Sequence, residues 1–139
     1  KVEPIEAVKI AQHEAVKHRH AFSSYKGTNY RHNEPGRNKQ DDKDIVTSIV
    51  KYLKKNHISI TQSYDDWYSV AMAIVTAFNY DVGVRFYLRL CRLDGHRHDE
   101  DASLSMLRYC YEHSNYEINL GTLIYLARKK GYKTTKGST

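Results

Sequence analysis

Residues 64–78 read YDDWYSVAMAIVTAF, and this stretch decides the fold. Trp67, Val70, Ala71, Ile74, Val75 and Phe78 recur at helical spacing and form a wide apolar face. Ser63 or Tyr64 opens the helix, and Asp65 and Asp66 place acid in its first turn, where the helix dipole favours it. Asn79 ends it, and Asp81 is the expected cap of the helix that follows. Ala71 and Ala73 are small enough to let a neighbouring helix approach closely. The apolar run 70–78 spans nine residues, includes Thr76, and is far short of membrane-crossing length, which excludes an integral helical membrane protein.

Outward from this stretch the same period recurs. On its N-terminal side, Ile45, Val46, Ile49, Tyr52 and Leu53 form an apolar stripe over 42–55, with Asp41 and Asp42 at the start and Lys51, Lys54 and Lys55 in the last turns. Residues 57–60 alternate briefly but are too few for a strand. On its C-terminal side a helix is expected over 81–93, with Val84, Leu88 and Cys91 inward and Arg85, Arg89 and Arg92 sharing another face. Asp94-Gly95 marks a turn. Asp99 starts the next helix, with Leu104, Leu107, Cys110 and Tyr111 inward, and Ser114-Asn115 breaks it. Asn119 caps a last helix with Leu120, Leu123, Ile124 and Ala127 inward, stopped by Gly131. Far upstream, Pro4 and the spacing of Ile5, Val8, Ala11, Ala15 and Val16 predict a helix over 4–21, followed by a long polar loop over 23–40 rich in Gly, Asn and Pro. The expected architecture is all-α, a compact bundle of about six helices with a long polar loop after the first. It divides into an N-terminal helix and linker (1–40), a helical bundle (41–132) and a flexible tail (133–139).

The chain has 139 residues, enough for one domain, and its 40% hydrophobic content supplies a modest core. It opens on Lys1 with no hydrophobic signal segment, so a piece of a longer or processed protein is expected. Cys91 and Cys110 lie in apolar-periodic stretches and are expected to be buried free thiols, which suits a reducing cytoplasm. The net charge of +6 is uneven: residues 1–40 hold eight basic and four acidic side chains, 41–113 nine and eleven, and 114–139 five and one. Basic ends attract phosphate by counterion release, although Arg128, Lys129, Lys130, Lys133 and Lys136 also suit a helix C-terminus electrostatically.

Signatures of catalysis are missing. No H-E-x-x-H, paired C-x-x-C or Gly-rich phosphate loop occurs. His13, His18 and His20 are badly spaced for one helix face; His96 and His98 beside Asp94 or Asp99 are the only metal-ligating arrangement worth testing. The paired acids at 41–42, 65–66 and 99–101 all fall at helix starts, where the dipole accounts for them. No enzyme, cofactor or metal is expected of the chain itself. Tyr is the prominent aromatic, with twelve copies, and Tyr25, Tyr30, Tyr68, Tyr87, Tyr109, Tyr116 and Tyr132 cannot all be core. Tyr interleaved with Arg and Lys is the composition of a single-stranded nucleic-acid surface, stacking for bases and cations for phosphates; the alternative is packing at core edges with the hydroxyl in water.

Three segments together resemble a known family. The entry Asp65-Asp66-Trp67, followed by Val70 and Ala73, is one. The helix from Gly83 through Phe86, Tyr87 and Leu90 is the second. The terminal pattern Ile118, Gly121, Thr122, Leu123, Ala127 and Gly131 is the third. In this order and spacing they resemble the primase C-terminal type 2 domain, a helical module that follows the catalytic domain in some primases and precedes helicase-like domains in mobile-element and phage proteins. The resemblance covers about residues 44–132, with 1–40 outside it. It implies a non-catalytic accessory role in DNA replication: holding single-stranded template DNA or nucleotide while a primer is started, beside adjacent primase or helicase domains and away from any membrane. The residues expected to carry it are Arg85, Arg89, Arg92, Arg108, Arg128, Lys129 and Lys130 on phosphates and Tyr109 as a stacking platform. The alternative is a docking module that links primase and helicase domains or mediates self-association, whose mark would be an exposed apolar patch.

Overall fold

A computed structural model of the chain describes residues 37–114 and 117–133. Five α-helices are present: α1 (Gln40–Lys55), α2 (Tyr64–Ala77), α3 (Tyr80–Cys91), α4 (Glu100–Glu112) and α5 (Leu120–Lys129). A 3-10 segment, Arg92–Arg97, joins α3 to α4, and no strand occurs among the described residues. The helix expected over 4–21, most of the polar loop, Tyr25, Tyr30, Tyr116 and the tail beyond Lys133 lie outside the described residues.

Side chains that satisfy the free backbone N–H groups set the helix starts. Ser63 Oγ accepts from the Asp66 N–H at 3.1 Å, Asp99 from Ala102 at 3.1 Å and Asn119 from Gly121 at 2.9 Å. For α3 the cap is Asn79, which accepts from the Val82 N–H at 3.3 Å; Asp81, expected in that role, lies one turn position inside the helix. Asn79 can do this because α2 ends earlier than expected, at Ala77, and Phe78 is extended.

Helix α2 is central and packs against α3, α4 and α5, while α1 packs against α3 and α5. Its surroundings explain its composition. Met72, Ala73 and Ala77 are buried along with the expected Trp67, Val70, Ala71, Ile74 and Val75, so it is covered nearly all round, as an almost wholly apolar helix must be. Trp67 is fully buried and its indole N–H donates to Ser103 Oγ at 3.4 Å. Tyr87 is fully buried and donates to the Trp67 carbonyl at 3.1 Å.

The inward face of α3 differs from expectation. Gly83, Phe86, Tyr87, Leu90 and Cys91 are buried, and Val84 and Leu88 are only half-buried. The reason is that α3 is covered by three helices, so its buried arc is wider than one stripe. Gly83 marks the closest approach: a Cβ there would lie 2.3 Å from the Tyr111 hydroxyl, which donates to the Phe78 carbonyl at 2.7 Å. Cys91 and Cys110 are buried free thiols, and burial pushes the Cys110 thiol well above its ordinary range.

Two polar clasps fix the connections. Asn38 donates its N–H to the Ala77 carbonyl at 2.9 Å, and its side chain accepts from the Asn79 N–H at 3.0 Å, which ties the approach to α1 onto the α2–α3 junction. Buried Asp94 accepts from the Ser59 hydroxyl and from the Thr61 hydroxyl, the latter at 2.9 Å, which holds the 57–61 loop against the 3-10 segment.

Candidate nucleic-acid interface

Helix α5 ends in a Schellman motif: the Tyr132 N–H returns to the Ala127 carbonyl at 3.1 Å and the Gly131 N–H to Arg128 at 3.0 Å. Gly131 takes φ +98°, which a Cβ would strain, and a Cβ there would also meet the Tyr52 hydroxyl at 2.5 Å. That hydroxyl donates to the Lys130 carbonyl at 2.8 Å, Tyr132 and Ser48 join hydroxyls at 3.1 Å, and the Tyr52 and Tyr132 rings meet edge to face at 5.8 Å. The last turn of α5 is thereby latched onto the last two turns of α1.

The latch pools positive charge from two distant parts of the sequence. Lys51, Lys54 and Lys55 are exposed on α1, and Arg128, Lys129 and Lys130 are exposed on α5. On α1, Lys51 and Lys55 lie within a fraction of a turn of Ser48 and Tyr52, on the side that receives α5. Both helix C-termini gain from cations. That accounts for part of the cluster and not for the aromatic at its edge. Tyr125 is 60% exposed, the one exposed large apolar or aromatic side chain among the described residues. Lys129, one turn on, holds its Nζ 5.4 Å from the centre of the Tyr125 ring, and Arg128 shares that face.

Arg85 and Arg89 lie elsewhere, on one wall of a groove between α3 and α1. Lys43, Asp44 and Thr47 form the facing wall, with Gln40 at its end and Val82 and Phe86 beneath. Arg92 is committed within the molecule. Its Nε and Nη2 donate to the two Glu100 oxygens at 3.1 and 2.8 Å, and His98 Nε2 lies 3.0 Å from the same carboxylate. These contacts, Arg92 first and His98 second, lower the Glu100 carboxyl to about 2. Arg108 and Tyr109 are half-buried on α4, and the Tyr109 ring stacks on His113 at 4.2 Å. Thus, of the expected set, only Arg128, Lys129 and Lys130 share a site, Arg85 and Arg89 form a second, and the other three are separate.

The tyrosines also sort differently. Tyr87 and Tyr132 are core, and Tyr68 is half-buried, its hydroxyl raised by burial and then by nearby Cys110, Tyr109, Tyr64 and Glu117. Tyr125, absent from the expected set, is the exposed one. Its signal was available: it falls on the side of α5 opposite Leu123 and Ala127. Among the described residues no three His, Cys, Asp or Glu side chains are grouped to hold a metal ion, and no helix is long and apolar enough to cross a membrane. No protein-family model, curated protein or solved structure matches the chain.

Proposed function

We propose that this chain is a helical module that binds single-stranded nucleic acid. We place it as an accessory domain of a primase or primase–helicase protein, where it holds template near the start of the primer. The carrying observation is Tyr125, exposed beside Lys129 at the edge of six pooled cations. A solvent-facing ring offers a stacking platform to any base, and Lys51, Lys55, Arg128, Lys129 and Lys130 supply charge for the phosphates on either side. The replication setting rests on the resemblance carried by Trp67, Gly83, Gly121 and Gly131 and their neighbours. Trp67 and Gly83 are packing positions and Gly131 is a helix stop, so the pattern bears on the type of domain and the surface on binding.

A docking module would present an exposed apolar patch. The described surface has Tyr125 alone among large exposed apolar or aromatic side chains, framed by cations, which favours the strand over a protein face. The test is fluorescence anisotropy with labelled single-stranded DNA. Tyr125→Ala is expected to weaken binding about tenfold, within the range of about 1–3 kcal/mol for one stacked base, and Tyr125→Trp to retain it. Charge reversal at Lys129 and Lys130 is expected to weaken binding and flatten its salt dependence. Binding untouched by all of these variants would overturn the assignment.

A further inference from the structure

The groove between α1 and α3 gathers cationic side chains from both helices. It is an open groove with room for about 280 Å³, just short of the roughly 300 Å³ at which small-molecule sites begin. Three cations line it, Arg85 and Arg89 from α3 and Lys43 from α1, with one carboxylate, Asp44. That carboxylate is occupied by the Gln40 amide at 2.9 Å and pairs with none of the three cations. Arg85 donates its Nε to the Asp81 carbonyl at 3.2 Å, which pins the guanidinium to its own helix, and among the described residues its two terminal nitrogens make no further hydrogen bond. Arg89 and Lys43 have no side-chain partner among the described residues. Arg92 is neutralised by Glu100, whereas Arg85, Arg89 and Lys43 face one groove and make no ion pair with its single carboxylate. Thr47 adds a hydroxyl, and Val82 and buried Phe86 give the floor an apolar character.

We infer that this groove binds a polyphosphate group, with Arg85 and Arg89 gripping it in forked fashion from one wall and Lys43 acting as a point charge from the other. Two guanidinium planes and an ammonium spread over two walls match several adjacent phosphoryl groups better than one carboxylate. The inference does not rest on the strand-binding reading, because the residues belong to a different pair of helices.

The test is isothermal titration calorimetry of the full chain at low salt with tripolyphosphate, and in parallel with a nucleoside triphosphate. Saturable one-to-one binding of tripolyphosphate is expected, at least tenfold weaker in Arg85→Gln/Arg89→Gln and unchanged in Tyr125→Ala. Both arginines are exposed, and circular dichroism of the double variant checks that the helices persist. Equal affinity for the two probes would assign the site to the polyphosphate alone, and a tighter nucleoside triphosphate would add a base or sugar seated on the Val82 and Phe86 floor. Either result supports the site. No saturable binding of either probe, or binding that the arginine double variant leaves intact, would overturn it, whatever the outcome with single-stranded DNA.

Discussion

His57 has φ +56°, a left-handed conformation that L side chains adopt at a cost of roughly 1–2 kcal/mol. It is held there because it closes α1 just as Gly131 closes α5. The His57 N–H reaches the Lys54 carbonyl at 3.3 Å and the Ile58 N–H reaches Leu53 at 2.9 Å. Replacing His57 by Gly removes the side-chain strain and is expected to raise stability by about 1 kcal/mol, seen as a rise in Tm of a few degrees; a lower Tm would show that the imidazole contributes more than the strain costs. Glu100 gives a second prediction at this scale. Its carboxyl sits at about 2 against an ordinary 4.5, so its pairing with Arg92 is complete above pH 4.5 and is lost as the pH falls toward 2. An NMR titration should place its midpoint near 2, and Arg92→Gln should move it up toward 4.5. An unmoved midpoint would assign the depression to His98 instead. Single residues also mark what the sequence could and could not disclose. Ser63, Asp99, Asn119 and Gly131 were legible as caps and stop because each acts within one turn of itself. Asn79 is legible as an end but not as the cap of α3, because the extended Phe78 decides which residue reaches the free N–H groups.

Among the elements, α2 was the clearest in the sequence and α3 the least. The apolar residues of α2 are so dense that any helical reading buries them, whereas α3 is amphipathic and touches three partners, so the sequence stripe of Val84, Leu88 and Cys91 missed its broader buried arc. The α3–α4 contact is set by the absence of a side chain at Gly83. Gly83→Ala would drive its methyl against the Tyr111 hydroxyl and the Ile74 side chain, at 2.3 and 3.1 Å. The expected loss is about 1–3 kcal/mol, measured by urea denaturation with an unchanged m-value. Restoration of most of that loss by Tyr111→Phe on the alanine background would confirm the collision as its cause, and no restoration would point to a different one. At α5 the wheel placed Leu123 and Ala127 inward correctly, and Tyr125 could have been found on the opposite side.

For the molecule as a whole, the linear charge map was accurate but placed charge by segment instead of by location. Residues 41–113 carry more acid than base, yet the three lysines at the end of α1 come from that segment and join the basic end of α5. Tyr52 and Lys130, 78 residues apart, make that meeting, and no local pattern announces a contact over such a separation. Among the described residues the fold thus brings six cations from two helix ends to one side of the bundle, with a tyrosine at their edge. Binding through that surface should release counterions in proportion to the phosphates engaged, with a slope near −0.7 per phosphate for a single strand. The most direct measurement is the affinity of the full chain for labelled single-stranded DNA at two salt concentrations, with duplex as control. Micromolar or tighter binding to the single strand at low salt is expected, with a steep fall on added salt and weaker binding to the duplex, which offers no free base to Tyr125. No binding at low salt, or equal affinity for the duplex, would contradict strand binding through that surface.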